Sequence, residues 1–141
     1  MTSANLKNIP TGLTEKDRWL AWRLQMRSHK VTKVPYCAAT GEMASTTDPA
    51  TWCSFPEAVN AFQSGRYSGI GFVFTIDDDI VGIDLDKCRD EKTGRLDEKA
   101  RQIVAKFDSY TEISPSGRGL HIFVRGLLPP GPRRRRTIVS V

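Results

Sequence analysis

The chain contains no run of about 18 apolar residues, so no single-helix membrane span is expected. Its first residues lack a basic segment followed by an apolar one, which argues against a secretory signal and makes the cytoplasm the expected location. Cysteine is sparse: Cys37, Cys53 and Cys88 form no CxxC pair. An odd, scattered count suits reduced thiols. A zinc site built from these thiols with His29 and His121 is disfavoured, because structural zinc sites usually show close-spaced ligand pairs. Acidic residues are missing from one region altogether, since no Asp or Glu follows Arg125.

What is present reads as one ordinary folded domain of a 141-residue chain. The expected organisation is a loose lead-in over 1–15, a folded domain over 16–126 and a Pro/Arg-rich unstructured tail over 127–141. The net charge of +5 is uneven. Five of the 21 Lys and Arg residues are Arg125 and Arg133, Arg134, Arg135 and Arg136, leaving 16 bases against 16 acids before them. The body is therefore balanced and the tail is a basic patch. Such a patch attracts phosphate backbones without sequence preference. A tail with no partner is an equally good reading of the composition.

Hydrophobic patterning supplies the elements. Trp19 to Leu24 and Val31 to Tyr36 alternate as two strands of a hairpin around Arg27-Ser28-His29-Lys30. Ala38 to Thr51 reads as a loop. Ser54-Phe55-Pro56-Glu57 has the capping-box pattern, with Ala58, Ala61 and Phe62 as an apolar stripe and Gly65 as the stop. Gly69 to Ile76 and Ile80 to Asp86 read as a second hairpin joined at Asp77-Asp78-Asp79. Ala100, Ile103, Val104 and Phe107 share one helical face. Tyr110 to Ser114 and Leu120 to Arg125 are two more strands. The order β-β-α-β-β-α-β-β predicts an α+β domain with helices packed on a mainly antiparallel sheet.

Two segments carry chemistry. In Ile83-Asp84-Leu85-Asp86, alternation along a strand sends Asp84 and Asp86 to one face and Leu85 into the core. Two carboxylates so close repel unless a cation lies between them, and Mg²⁺ takes such oxygen ligands while keeping positions for substrate phosphates. On the pair alone, a solvated strand end is the plainer reading. Asp77, Asp78 and Asp79 fit turn hydrogen bonding better than metal binding. In Ser114-Pro115-Ser116-Gly117-Arg118-Gly119-Leu120-His121, the glycines let the backbone approach a ligand closely, and successive amides can form an anion nest. The Ser114 and Ser116 hydroxyls, Arg118 and His121 add donors for phosphate. A tight turn followed by a satisfied histidine explains that segment equally well in isolation. Trp19 and Trp22 fit core packing better than stacking on bases.

Taken together, Asp84-Leu85-Asp86 and the Ser116-to-His121 segment resemble the first two motifs of the archaeo-eukaryotic primase superfamily. More closely, the chain resembles the bifunctional DNA primase/polymerase domain of phage and plasmid replication proteins. The flanking text is similar too: Lys33-Val34-Pro35-Tyr36, Thr47-Asp48-Pro49-Ala50-Thr51-Trp52, Gly69-Ile70-Gly71-Phe72-Val73-Phe74 and Gly82-Ile83-Asp84-Leu85-Asp86. The resemblance covers roughly residues 15–126. It implies an RRM-like catalytic core and template-directed nucleotidyl transfer. Asp84 and Asp86 would hold Mg²⁺ or Mn²⁺, and His121 would contact the triphosphate. Ser116, Gly117, Arg118 and Gly119 would shape the phosphate pocket, with Lys33 as an extra phosphate or template contact. The implied partners are nucleoside triphosphates, a DNA template and primer, and a replicative helicase domain or protein.

The family's third motif, a later acidic residue, has no counterpart after Arg125, and this predicts a chain truncated or frameshifted before that motif. Catalysis is then expected to be impaired by loss of the third acid, which leaves enzyme activity open. The rival reading is a noncatalytic nucleic-acid-binding fragment that acts through its sheet and through Arg133, Arg134, Arg135 and Arg136. A degenerate remnant without activity is a third.

Overall fold

The computed structural model describes residues 6–75, 78–126 and 138–140. It is α+β, with two antiparallel sheets and short helices. The described residues divide into two compact units, one of 6–73 with 138–140, the other within 74–126. Asp77, Arg133, Arg134, Arg135 and Arg136 lie outside the described residues. No helix among the described residues is long and apolar enough to cross a membrane.

The first unit is built on a hairpin of β1 (Trp19–Arg27) and β2 (Lys30–Tyr36), with Ala21 opposite Tyr36 and Arg27 opposite Lys30. Ser28 and His29 make the two-residue turn, both at positive φ (48° and 62°), as a type I′ connection requires. β1 also pairs with β3 (Gly69–Val73), and β3 pairs with β7 (Ile138–Ser140), giving the order β2-β1-β3-β7. Helix α1 (Thr11–Thr14) precedes this sheet, and a 3₁₀ turn (Pro49–Thr51), capped by the Asp48 carboxylate, interrupts the loop after β2. Helix α2 (Phe55–Gln63) has the capping box in full: Ser54 Oγ accepts from the Glu57 amide, and Glu57 accepts from the Ser54 amide. That backbone donor holds the Glu57 carboxyl below its ordinary value.

Trp19 is completely buried, donates from Nε1 to the Leu13 carbonyl at 3.0 Å and packs its ring against Phe55 and Phe72. Trp22, also buried, donates to the Ile70 carbonyl at 3.0 Å. Both indoles are therefore core, and neither offers a face to a base.

The expected hairpin between the Gly69 and Ile80 strands does not form. Both edges of β3 are already paired, to β1 and β7, so β4 (Ile80–Leu85) has no edge of β3 to join. The chain turns instead at Asp78, whose buried carboxylate accepts from the Thr75 amide at 2.6 Å. Asp79 pairs with Arg125 at 3.2 Å.

In the second unit, β4 and β5 (Thr111–Ile113) flank β6 (Leu120–Arg125) in the order β4-β6-β5. Helix α3 (Glu98–Phe107) starts at Asp97, whose side chain accepts from the Ala100 amide, and ends at Asp108 in the left-handed region (φ 42°). Cys88, Ala100 and Leu120 form a buried cluster, with Leu85, Leu96 and Val104 packed on it. Phe107, expected on this apolar face, is 42% exposed because it occupies the last helical position, beyond the cluster. All three thiols are free and buried, and burial pushes Cys53 up to about 11.

Gly69 gives a direct test of the first core. A Cβ there would lie 2.4 Å from the Trp22 ring, whereas one at Gly12 meets nothing within 4 Å. Gly69→Ala is expected to lose about 1–3 kcal/mol of stability in urea unfolding through overpacking. Gly12→Ala should stay within about 0.5 kcal/mol of the parent, and equal effects of the two substitutions would contradict this packing.

Candidate active site

The chemistry-bearing residues of the second unit are brought together by strand register. β4 pairs with β6 so that Asp84 faces His121 and Leu85 faces Leu120. β5 pairs with β6 so that Glu112 faces His121. Since side chains alternate across a strand, Leu85 and Leu120 turn to the α3 side, and Asp84, His121 and Glu112 form a row on the opposite face. His121 Nε2 lies 3.5 Å from Asp84 Oδ1, and its Nδ1 lies 3.3 Å from Glu112 Oε1. The histidine and Glu112 side chains are nearly buried, at 10% and 12% exposed, while Asp84 is half exposed at 52%. The carboxylate at the open end of the row is therefore available to a ligand, and the one at the closed end is not.

Next to the row along β6 lies an aromatic stack. Phe123 stacks between Phe74 and Tyr110, with ring centroids 5.6 Å apart on each side. The Tyr110 hydroxyl donates to Glu112 Oε2 at 3.0 Å. Burial, reinforced by the Glu112 charge, raises the Tyr110 phenol far above its ordinary range, so it remains a donor.

Asp86 falls one residue past β4, in a turn with Lys87 at φ 53°. It is exposed, and it lines with Asp84 an open cleft of about 190 Å³ whose other walls come from the α3 side, Leu85, Cys88, Asp97, Lys99, Ala100 and Ile103, and not from His121. Among the described residues no three His, Cys, Asp or Glu side chains converge as a metal cage would. The donor set present is two exposed carboxylates beside a cleft. That set suits a hydrated divalent ion of the Mg²⁺ type, which is commonly held by one or two carboxylates plus substrate phosphates rather than by an all-protein shell.

The loop 114–119 is locked against this turn. Gly117 adopts φ 75°, and the Gly117 amide donates to the Ser114 carbonyl at 2.8 Å. Gly119 is required for another reason: a Cβ there would lie 2.6 Å from the Leu85 carbonyl oxygen, between the two aspartates in sequence. Ser114 is buried, and its hydroxyl accepts from the Gly119 amide at 3.0 Å and bonds Ser116 Oγ at 3.0 Å. Ser116 Oγ in turn accepts from the Arg118 amide at 3.3 Å. These hydroxyls hold the loop together, and the exposed Arg118 side chain is left as its outward cation.

Sequence reasoning passed over Arg89, Glu112 and Lys99. Arg89 donates from Nη1 to the Gly117 carbonyl at 2.7 Å, and its amide donates to the Arg118 carbonyl at 3.0 Å. Its distance in sequence from the loop hides that role. Lys33 belongs to the first unit, where its ammonium sits 4.9 Å from the centre of the Trp22 ring.

No family model matches the chain. A DNA primase-polymerase of Nitratiruptor phage NrS-1 is 42% identical to it over 117 residues, which are 83% of this chain and 16% of that protein. The chain thus spans about one sixth of the relative's length.

Ser114 tests the loop. Ser114→Ala leaves the buried Gly119 amide without its partner, and a loss of about 1–3 kcal/mol is expected in urea unfolding. Faster hydrogen exchange at the Gly119 amide should accompany it. Unchanged stability and unchanged exchange would show that the hydroxyl does not hold the loop.

Proposed function

This chain belongs to the primase/polymerase domain family, and from that premise we propose that its second unit binds a nucleoside triphosphate together with a divalent metal for DNA-templated nucleotidyl transfer. The observation that carries the reading is the register pair of Asp84 and His121, 3.5 Å apart beside a glycine loop closed on Leu85. The family is metal-dependent, and Mg²⁺ or Mn²⁺ is the ion class that Asp84 and Asp86 suit. When bound, such an ion neutralises phosphate charge and polarises the reacting oxygens.

The chain's own residues supply binding and orientation. Asp84 and Asp86 present the carboxylates. His121 Nε2, aimed toward Asp84, meets a phosphate oxygen, and Arg118 and the loop of Ser116, Gly117 and Gly119 border that phosphate. Lys99 is a further cation at the cleft. Lys33 and Arg133 to Arg136 are proposed contacts to template or primer phosphates. The setting we propose is cytoplasmic replication of a phage or plasmid, with a helicase domain or protein as the natural partner of such a module.

Nucleotide binding is the stronger part of this proposal and turnover the weaker. No Asp or Glu follows Arg125, and Glu112 is occupied by His121 and Tyr110. Nucleotidyl transfer by these 141 residues alone is therefore proposed to be impaired. Each 1.36 kcal/mol of lost transition-state stabilisation slows a reaction about tenfold.

Titration calorimetry of the protein with dATP in Mn²⁺ tests the reading. Removal of Mn²⁺ and Asp84→Ala should each abolish binding, and His121→Ala should weaken it by about tenfold or more, about 1.4 kcal/mol. Nucleotide affinity indifferent to Asp84→Ala, with DNA binding that falls steeply with salt, would overturn it in favour of noncatalytic nucleic-acid binding.

A further inference from the structure

The row on the sheet ends in a group that nucleotide binding does not use directly. Glu112 is nearly buried, and both of its oxygens are engaged, Oε1 with His121 Nδ1 at 3.3 Å and Oε2 with the Tyr110 hydroxyl at 3.0 Å. Tyr110 is itself stacked on Phe123 and keeps its proton. From this geometry we infer that Glu112 is a positioning residue: it holds the His121 ring by Nδ1, so that Nε2 is the nitrogen presented to the nucleotide's phosphate. The inference rests on the nucleotide reading of the site given above.

The physical argument is one of fixed orientation. A carboxylate can only accept, so Nδ1 carries a proton where it meets Glu112, and Nε2 must carry a second one to donate to Asp84 or to a phosphate oxygen. The ring that meets phosphate is therefore the imidazolium, and the neutral ring keeps its single proton on Nδ1. The hydrogen bond made by one ring nitrogen sets which nitrogen remains for a ligand. Without Glu112, rotation about the bond to the ring exchanges the positions of carbon and nitrogen facing Asp84. Tyr110 keeps the carboxylate itself from turning, since it occupies the second oxygen. The three side chains come from β5, β6 and the residue before β5, so pairing of these strands aligns the whole row before any ligand arrives. Outer partners of metal-ligating histidines commonly matter by about 10- to 100-fold, and the same fixing of ring orientation is at work here.

Two readouts test this. First, dATP affinity in Mn²⁺ is measured by calorimetry for Glu112→Ala, Glu112→Gln, His121→Ala and the double variant Glu112→Ala/His121→Ala. The expected result is a loss of about tenfold for Glu112→Ala, substantial rescue by Glu112→Gln, whose amide oxygen still accepts from Nδ1, and no further loss when Glu112→Ala is added to His121→Ala. An equal loss from Glu112→Ala in both backgrounds, or unchanged affinity in the folded single variant, would overturn the inference. Second, the ring nitrogens of His121 are observed by ¹⁵N NMR without nucleotide, at a pH where the ring is neutral. His29 and His121 are the only histidines, so assignment is direct. The parent is expected to carry the ring proton on Nδ1, as should Glu112→Gln, and Glu112→Ala to move it toward Nε2. A parent ring protonated on Nε2 would overturn the inference. This second readout holds even if the protein binds no nucleotide, which would refute the proposed function while leaving the orientation of His121 decided on its own.

Discussion

Everything at the candidate site depends on the register of three short strands. Pairing of β4 with β6 sets Asp84 against His121, and pairing of β5 with β6 sets Glu112 against the same histidine. A slip of one residue in either ladder would carry these side chains to the α3 side and bring leucines to the open face. The apolar partners prevent such a slip. Leu85 and Leu120 face one another in the cluster with Cys88 and Ala100, so the same register that buries them aligns the polar row. Core packing and site geometry are two faces of one ladder.

The loop before β6 belongs to the same constraint. Gly119 allows the Leu85 carbonyl to approach where any side chain would clash, Ser114 closes the loop from within, and Arg89 fastens its outer carbonyls. The carboxylate turn and the glycine loop are thus held by backbone and buried hydroxyl contacts that need no ligand. Exposed Asp84, Asp86 and Arg118 are left to face solvent. Electrostatic groups on a rigid frame are suited to hold a charged substrate without reorganisation.

Much of this was legible in the sequence. Period-two alternation gave the first hairpin, and the Ser54–Glu57 box gave the start of α2. The Asp84-Leu85-Asp86 and Ser116-to-His121 motifs pointed to two segments that the β4–β6 ladder sets side by side, and the identity to a phage DNA primase-polymerase bears out the family resemblance. Strand partnership was not legible. The run from Gly69 to Ile76 and the run from Ile80 looked like neighbours across an acidic turn, but hydrophobic pattern cannot say that β1 and β7 already fill both edges of β3. Glu112 was hidden for a related reason. It sits in a three-residue strand, and only the pairing partner tells that it meets His121. The glycines were noticed for their freedom near a ligand, yet Gly119 is needed because another backbone passes it. Long-range register and close backbone approach are properties of the folded chain, which is why single-residue patterns missed them.

The central claim is that Asp84 and Asp86 mark where metal and nucleotide meet in the second unit. Paramagnetic broadening by Mn²⁺ in the ¹⁵N-labelled protein, recorded with and without dATP, tests it most directly. The account requires amide signals to fade first around Asp84, Asp86 and residues 116–121, with the effect sharpened by dATP. Broadening centred instead on Asp78 and Asp79, or spread evenly over the exposed acids and indifferent to dATP, would contradict it.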